Sequence, residues 1–230
     1  MKSKQFALDD QIIVLVSKRS TSRQIRLSIS GEGLVKVSIP TWVPYSAAIS
    51  FAKSKQDWIL KKIPERTLLI PGRLIGKNHR LVFKPTNKKT VTSRLSDLEA
   101  VVYYPRELDT ANPKVQEAAR RIIKRALTAQ ANRLLPIRVN ELAGKHGYKY
   151  KELKIKSLKT RWGSCDSSKN ITLNLYLMEL PWELIDYVIM HELNHTEIMQ
   201  HGPKFWQALE ARLPKCLELK KQIKNYPTIV

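Results

Sequence analysis

The sequence predicts an α+β fold, and three observations carry the prediction. The first 110 residues read mainly as strands, the remainder mixes long helical stretches with two strand-like runs, and one helical stretch holds the HExxH motif His191-Glu192-Leu193-Asn194-His195. Strands collected towards one end and helices towards the other favour an α+β arrangement over a strictly alternating one. The expected organisation is an N-terminal β-rich module over residues 1–110 and a metallohydrolase core over residues 111–230 with a small sheet and the HExxH helix. At this length the two parts can also pack as one continuous domain.

Residues 12–16 and 24–30 are short apolar or alternating runs, and Gly31-Glu32-Gly33 joins the second run to residues 34–39 as a hairpin with a glycine-containing turn. Pro40 and Pro44 break that sheet. Over residues 45–62, Ala48, Ile49, Ala52, Trp58 and Ile59 approximate a helical stripe, closed by Pro64. Strand candidates follow at 74–75, 80–83 and 98–104, with a Lys/Thr/Ser-rich connection over 87–96. Asp109-Thr110-Ala111-Asn112-Pro113 supplies a cap and a first-turn proline for a long helix to about Leu135, which Pro136 ends or bends before a shorter helix over 137–145. Residues 153–156 and 171–177 alternate with period two, as two strands of one sheet do. Pro181 opens the helix bearing the HExxH motif, Pro203 opens another, and a basic helix runs over 214–224. No internal repeat is visible.

With 230 residues and 43% apolar content, the chain can bury an ordinary core. No apolar run approaches the roughly eighteen residues of a membrane-spanning helix, so no membrane association is expected. The N-terminus carries no export signal, and the two cysteines, Cys165 and Cys216, are expected to be thiols, which points to the cytoplasm. The formal charge of +21 attracts phosphate without sequence-specific contacts, so non-specific nucleic-acid association is one expectation and a merely solubilising surface the other. The basic excess is spread along the chain: residues 1–110 hold 20 basic and 9 acidic side chains, and residues 111–230 hold 21 and 11. Residues 170–203 contain no Lys or Arg but hold Glu179, Glu183, Asp186, Glu192 and Glu197, an acidic island suited to retaining a cation.

Positions i and i+4 of a helix lie one turn apart on one face, so the imidazoles of His191 and His195 can address a single ion. Glu192, rotated by about a hundred degrees, suits a carboxylate that touches an activated water without ligating the metal. His201 is the expected third ligand, with the helix ending near Gln200 and Gly202-Pro203 turning the chain back. Glu197 is the nearest competing ligand. Zinc (Zn2+) is the expected cofactor, although imidazole ligation also admits other divalent transition metals. Coincidental histidines on an exposed helix are disfavoured because the flanking residues Leu184, Ile185, Val188 and Ile189 are apolar, and unpaired histidines buried among them would be costly.

Arg161-Trp162-Gly163-Ser164-Cys165, the HExxH segment, His201 and then Phe205-Trp206 together resemble the YgjP-like metallopeptidase family, which is related to the SprT-like zinc proteases. Ser17-Lys18-Arg19-Ser20 and Gln56-Asp57-Trp58-Ile59 are similar to that family's start, so the resemblance covers most of the chain. It implies a compact gluzincin-like zinc-binding core, with His191, His195 and His201 as ligands and Glu192 as catalytic acid/base. Two positions depart from the pattern: Asn194 stands where Ala is usual, and Thr196 where a larger apolar residue is common. The resemblance also makes residues 171–177 an edge strand able to pair with an extended peptide. Arg161 has two readings: a binder of substrate carboxylate, phosphate or oxyanion, or a helix cap or partner of an acid, with Trp162 in the core and Gly163 in a turn. Cys165 is a fourth ligand or a small buried residue. His79 and His146 fall in basic loops without partners and receive no role.

The leading expectation is a zinc-dependent metallopeptidase using metal-activated water on a protein or peptide substrate. The second is a metal-dependent nucleoside triphosphate pyrophosphohydrolase, in which Lys and Arg would have to clamp the nucleotide because no phosphate-binding glycine loop is present. The third is a basic nucleic-acid-associated binding protein.

Overall fold

A computed structural model describes residues 3–8, 12–29, 35–62 and 68–228, and the chain divides into two compact units, Met1–Thr67 and Leu68–Val230. In the first unit, strands β1 (Ser3–Ala7), β2 (Ile13–Arg19), β3 (Arg26–Ile29) and β4 (Val35–Pro40) form a sheet of order β1-β2-β4-β3. Strict alternation decides its faces: Val14, Val16, Val35, Val37 and Ile39 are buried, and Ser17, Arg19, Lys36 and Ser38 point the other way. The β3–β4 pairing is antiparallel, as expected for the hairpin, while Gly31-Glu32-Gly33 lies outside the described residues. The expected helix over 45–62 is two helices, α1 (Tyr45–Ser54) and α2 (Gln56–Lys62). They part at Lys55, whose N–H bonds back to Ala52 and leaves the helical ladder. Ala48, Ala52 and Ile59 complete this unit's own core.

The second unit opens with β5 (Leu74–Ile75), β6 (His79–Thr86), β7 (Thr92–Leu95) and β8 (Glu99–Pro105), ordered β5-β6-β8-β7. The expected connection over 87–96 therefore contains a strand. Both sheets share one topology: antiparallel outer pairs flank a parallel central pair, β2 with β4 and β6 with β8. This correspondence is one of backbone arrangement and leaves no repeat in the sequence. Helix α3 (Pro113–His146) packs on the second sheet, and its buried stripe runs from Val115 through Ile122, Leu127 and Leu135 to Val139 and Leu142. Asn112 caps its start by accepting the Lys114 N–H, and Gly147, at φ 74°, ends it. Pro136 does not terminate the helix. An internal proline costs about 3 kcal/mol, and burial of Leu135 and Val139 on either side offsets that loss.

The third sheet has order β10-β11-β9, from β9 (Glu152–Lys156), β10 (Gly163–Cys165) and β11 (Asn170–Asn174). Because β11 is flanked on both sides, residues 171–177 are not an edge strand, which corrects that expectation. A 3-10 turn, Leu175–Glu179, replaces its expected last residues, where the Asn174 side chain accepts the Tyr176 N–H and starts the turn. Helices α4 (Trp182–Asn194), α5 (Pro203–Arg212) and α6 (Cys216–Gln222) complete the unit, the first two opening at the expected prolines. Among the described residues no helix is long and apolar enough to cross a membrane, and Cys165 and Cys216 are free thiols.

His79 also departs from expectation. It is buried on β6, where its Nδ1 accepts from Gln130 Nε2 at 2.7 Å and its Nε2 donates to the Ser96 carbonyl at 3.0 Å. Gln130 additionally bonds the Ile75 carbonyl and the Lys77 N–H, so one buried amide ties α3 to the β5–β6 turn. His146 is the last residue of α3 and not part of a loop. Gly76 sits in the turn at φ 58°, and a Cβ there would lie 2.4 Å from Gln130 Oε1. Gly76→Ala is expected to lower unfolding free energy by about 2–3 kcal/mol, from left-handed strain and displacement of the amide. The shift of the urea midpoint measures it.

Candidate metal centre

Helix α4 anchors itself through Leu184, Ile185, Val188, Ile189 and Leu193, all buried, and this fixes the rotation at which His191 and Glu192 leave its surface. The helix ends at Asn194, earlier than the expected Gln200. Thr196 Oγ1 donates to the Leu193 carbonyl at 2.7 Å, a side-chain bond that competes with further helical turns. His195 occupies the C-terminal cap in helical conformation, so it keeps its place one turn below His191. The chain then turns back through residues 196–202, and His201 Nε2 comes to 2.9 Å from His191 Nε2 and 3.0 Å from His195 Nε2.

The ligand atoms of these three histidines all lie within 4.8 Å of one another. Tetrahedral nitrogen ligands at about 2.0–2.1 Å from a zinc ion stand about 3.3 Å apart, so the observed nitrogen spacings suit one small cation. His195 Nδ1 lies 3.2 Å from the Ile198 carbonyl, to which its proton belongs, leaving the Nε2 lone pair facing the cluster. His191 Nδ1 is buried without a partner. The Phe205 ring forms the floor, its centroid 5.0, 4.6 and 4.8 Å from those of His191, His195 and His201. Trp206 stacks on His201 at 5.9 Å, donates its indole N–H to the His201 carbonyl and carries Lys220 over its face at 3.7 Å.

Burial, reinforced by the neighbouring imidazoles and Lys220, pushes His191 down to about 3, and burial also lowers His195, so both rings are neutral donors at physiological pH. The same burial pushes Glu192 up to about 8, opposed by the charge of Arg161. A dication beside that carboxyl would favour its ionised form. Glu192 is 6% exposed and packs on Gly163 of β10, where a Cβ would stand 2.6 Å from its Oε1. Gly163 therefore gives the carboxyl room and does not merely make a turn.

The loop holding Arg161 is fixed by a residue the sequence reading passed over. The buried Asn174 donates through Nδ2 to the carbonyls of Leu158 and Arg161, and its backbone N–H bonds the Trp162 carbonyl. Its only sequence signal was a polar residue at a strand end. Arg161 is itself exposed, with Glu192 within its electrostatic reach. Glu197, the competing ligand, lies outside the histidine cluster, paired with Arg212 at 3.1 Å. Cys165 is half-buried and also outside the cluster, its thiol pushed up to about 11 by burial with Glu192 nearby.

Comparison with known families matches residues 23–226 to the YgjP-like metallopeptidase domain. The chain belongs to the YgjP-like metallopeptidase family. With the three-imidazole cluster able to hold a divalent metal, it is a metal-dependent hydrolase of the peptidase type. Curated proteins give no match. Among solved structures, the metallopeptidase zymogen of Pyrococcus abyssi abylysin is 22% identical with a TM-score of 0.36, over 40% of this chain and 93% of its own. The zymogen of Methanocaldococcus jannaschii jannalysin is 30% identical with a TM-score of 0.35, over 39% and 93%.

In this YgjP-like chain the two departures from the family pattern have structural work. Thr196 ends α4, as above. Asn194 is fully buried, donates to the Phe205 carbonyl at 3.0 Å and accepts the Tyr148 hydroxyl at 2.9 Å. Tyr148 in turn accepts from Arg212, which holds Glu197. Asn194→Ala is expected to cost about 1–3 kcal/mol, because the Tyr148 hydroxyl loses its acceptor and the Phe205 carbonyl its side-chain donor in a buried site. Denaturant titration checks this, with little loss expected for Glu197→Gln on the exposed end of the chain of bonds.

Proposed function

We propose that the centre holds zinc through His191, His195 and His201, and that Glu192 is the general base and then the general acid of peptide hydrolysis. The observation that carries the reading is the convergence of three imidazole Nε2 atoms beside a buried carboxyl that belongs to none of their hydrogen bonds. A bound zinc ion would supply Lewis acidity, lowering the pKa of water and polarising the scissile carbonyl. Glu192 takes the proton from the attacking water and returns it to the departing amine. Its seat against Gly163 holds the carboxyl in one position during both transfers.

A gluzincin-like core over residues 111–230 is supported by the same set, since every proposed site residue falls in that span. The peptide is assigned to the free side of β10, not to β11, because β10 is the edge of its sheet and carries Gly163 against Glu192. An extended chain added there runs past the histidine cluster. Arg161, at the entry to β10, is the proposed partner of the developing oxyanion or a substrate carboxylate.

The deciding experiment incubates zinc-loaded protein with casein and, separately, with nucleoside triphosphates. Casein cleavage is expected, and Glu192→Gln should lower it at least about 1000-fold while zinc content by elemental analysis stays near that of the parent protein. Casein turnover undiminished in this variant ends the assignment of the base, and triphosphate hydrolysis without casein cleavage moves the substrate to nucleotides. Arg161→Ala should reduce kcat/KM about 10- to 1000-fold at unchanged zinc content. Chelation of the ion should lower Tm reversibly, because a ligand bound only by the folded state stabilises it in proportion to RT ln(1 + [L]/Kd), and His201→Ala should abolish that dependence.

A further inference from the structure

We propose that the open face of the N-terminal sheet binds the phosphodiester backbone of nucleic acid without reading its bases. That face lies within the first unit and is concave, enclosing about 620 Å³ between β2, β3, β4 and the β2–β3 connection. Arg19, Arg23, Arg26 and Lys36 line it, with Ser17, Ser28 and Ser38 between them. Among the described residues no lining side chain is acidic and none is aromatic. Cations separated by hydroxyl donors are what phosphate oxygens require, and the lack of an aromatic platform removes base stacking.

The sheet register gives the arrangement. Arg26 stands opposite Ser38, which stands opposite Ser17, so a cation and two hydroxyls form one row across three strands. Lys36, two residues before Ser38, starts the next row beside Ser28. A diagonal pair on neighbouring strands lies about 7–8 Å apart, which spaces the Arg26 and Lys36 charges along a backbone and does not focus them on one ion. Arg19 and Arg23 extend the charge past the strand ends and are exposed, as is Arg26.

Two comparisons within the same unit separate this face from the general basic surface. Lys4 and Lys18, on the opposite side of the sheet, are engaged over the Tyr45 ring at 5.2 and 5.1 Å, and Lys18 also donates to the Thr41 carbonyl. Among the described residues, no ion pair to a carboxylate involves Arg19, Arg23, Arg26 or Lys36. No described carboxylate thus pairs with the cations of the open face. An acidic polypeptide shares the charge but not the regular run of phosphate acceptors, so nucleic acid is the occupant the hydroxyl rows favour.

Fluorescence anisotropy of the full-length protein with labelled duplexes of unrelated sequence tests this. Binding should be equal for the sequences, and log K should fall against log salt with a slope of about −3 to −4, the value for four phosphate contacts. Arg23→Glu with Arg26→Glu should weaken binding by about tenfold or more at 0.1 M salt, with Tm unchanged. The control Lys53→Glu with Lys61→Glu makes the same change of net charge on the exposed helices α1 and α2 and should weaken it less than about threefold. Equal weakening by the two pairs, or none by the first, overturns the proposal. So does polyglutamate of matched charge competing as well as unlabelled duplex.

Discussion

Three imidazole nitrogens aimed at one point impose the constraint on which the rest of this molecule depends. Neutral rings cannot satisfy one another in that arrangement: His201 Nε2 is within 3.0 Å of both partners, yet one nitrogen supplies at most one proton or one lone pair. Protonating His191 is no escape, since burial and repulsion from its neighbours drive it to about 3. A shared electrophile resolves the conflict, and a small cation is the simplest one. The surrounding structure keeps the donors from relaxing apart. Phe205 packs on all three rings, the Ile198 carbonyl fixes the His195 tautomer, and the early end of α4 at Asn194, held by the Thr196 side chain, returns His201 to the cluster.

Position in this site is set by buried polar side chains acting at a distance from the metal ligands. Asn194 couples the end of α4 to the start of α5, so that the helix presenting two imidazoles and the residue flooring all three move together. Asn174 performs the matching service on the other wall, joining β11 to the loop that leads through Arg161 and Trp162 into Gly163. Thr228 adds a clamp from the C-terminal end of the described chain by donating to the Lys159 carbonyl. The Asn194 bond is buried and the Asn174 bond partly so, and there loss of one partner leaves the other's desolvation uncompensated. The site is rigid because its supports would be costly to leave half made.

Much of this was legible in the chain, for identifiable reasons. The i, i+4 spacing of His191 and His195 is a local property of a helix, and Pro181 and Pro203 mark helix starts that hold whatever the tertiary context. The edge status of a strand is not local. Residues 171–177 alternate as a strand should, but whether β10 folds back to cover β11 depends on a turn in which Asp166 accepts the Ser168 and Asn170 N–H groups and Lys169 adopts φ 62°. Pro136 was ambiguous for a similar reason: a proline breaks an isolated helix, and only burial along α3 keeps this one continuous. His79 looked unpartnered because Gln130, its partner, lies 51 residues away.

The acidic stretch over residues 170–203 invites the inference that its carboxylates gather the cation. Pairing in the fold leads elsewhere. Asp186 is held by Arg138 in a two-pronged ion pair at 2.7 and 2.6 Å, which raises the guanidinium pKa further. Glu179 accepts the Gly76 N–H and faces Arg73 and Lys77, and Glu197 is taken by Arg212. Those three acids are neutralised by bases drawn from outside the stretch, and Glu183 lies exposed on the first turn of α4. What remains beside the histidines is Glu192 alone, its carboxyl opposed electrostatically only by Arg161 and raised by burial to about 8. A cluster of carboxylates there would compete for the ion and hold it too fully ligated to leave room for a substrate, whereas a single carboxyl outside the histidine cluster leaves a coordination position open. The basic excess of the chain therefore has a local role apart from any long-range attraction: Arg73, Arg138 and Arg212 pair with acids of this stretch, and Glu192 is the acid of the stretch left beside the histidines.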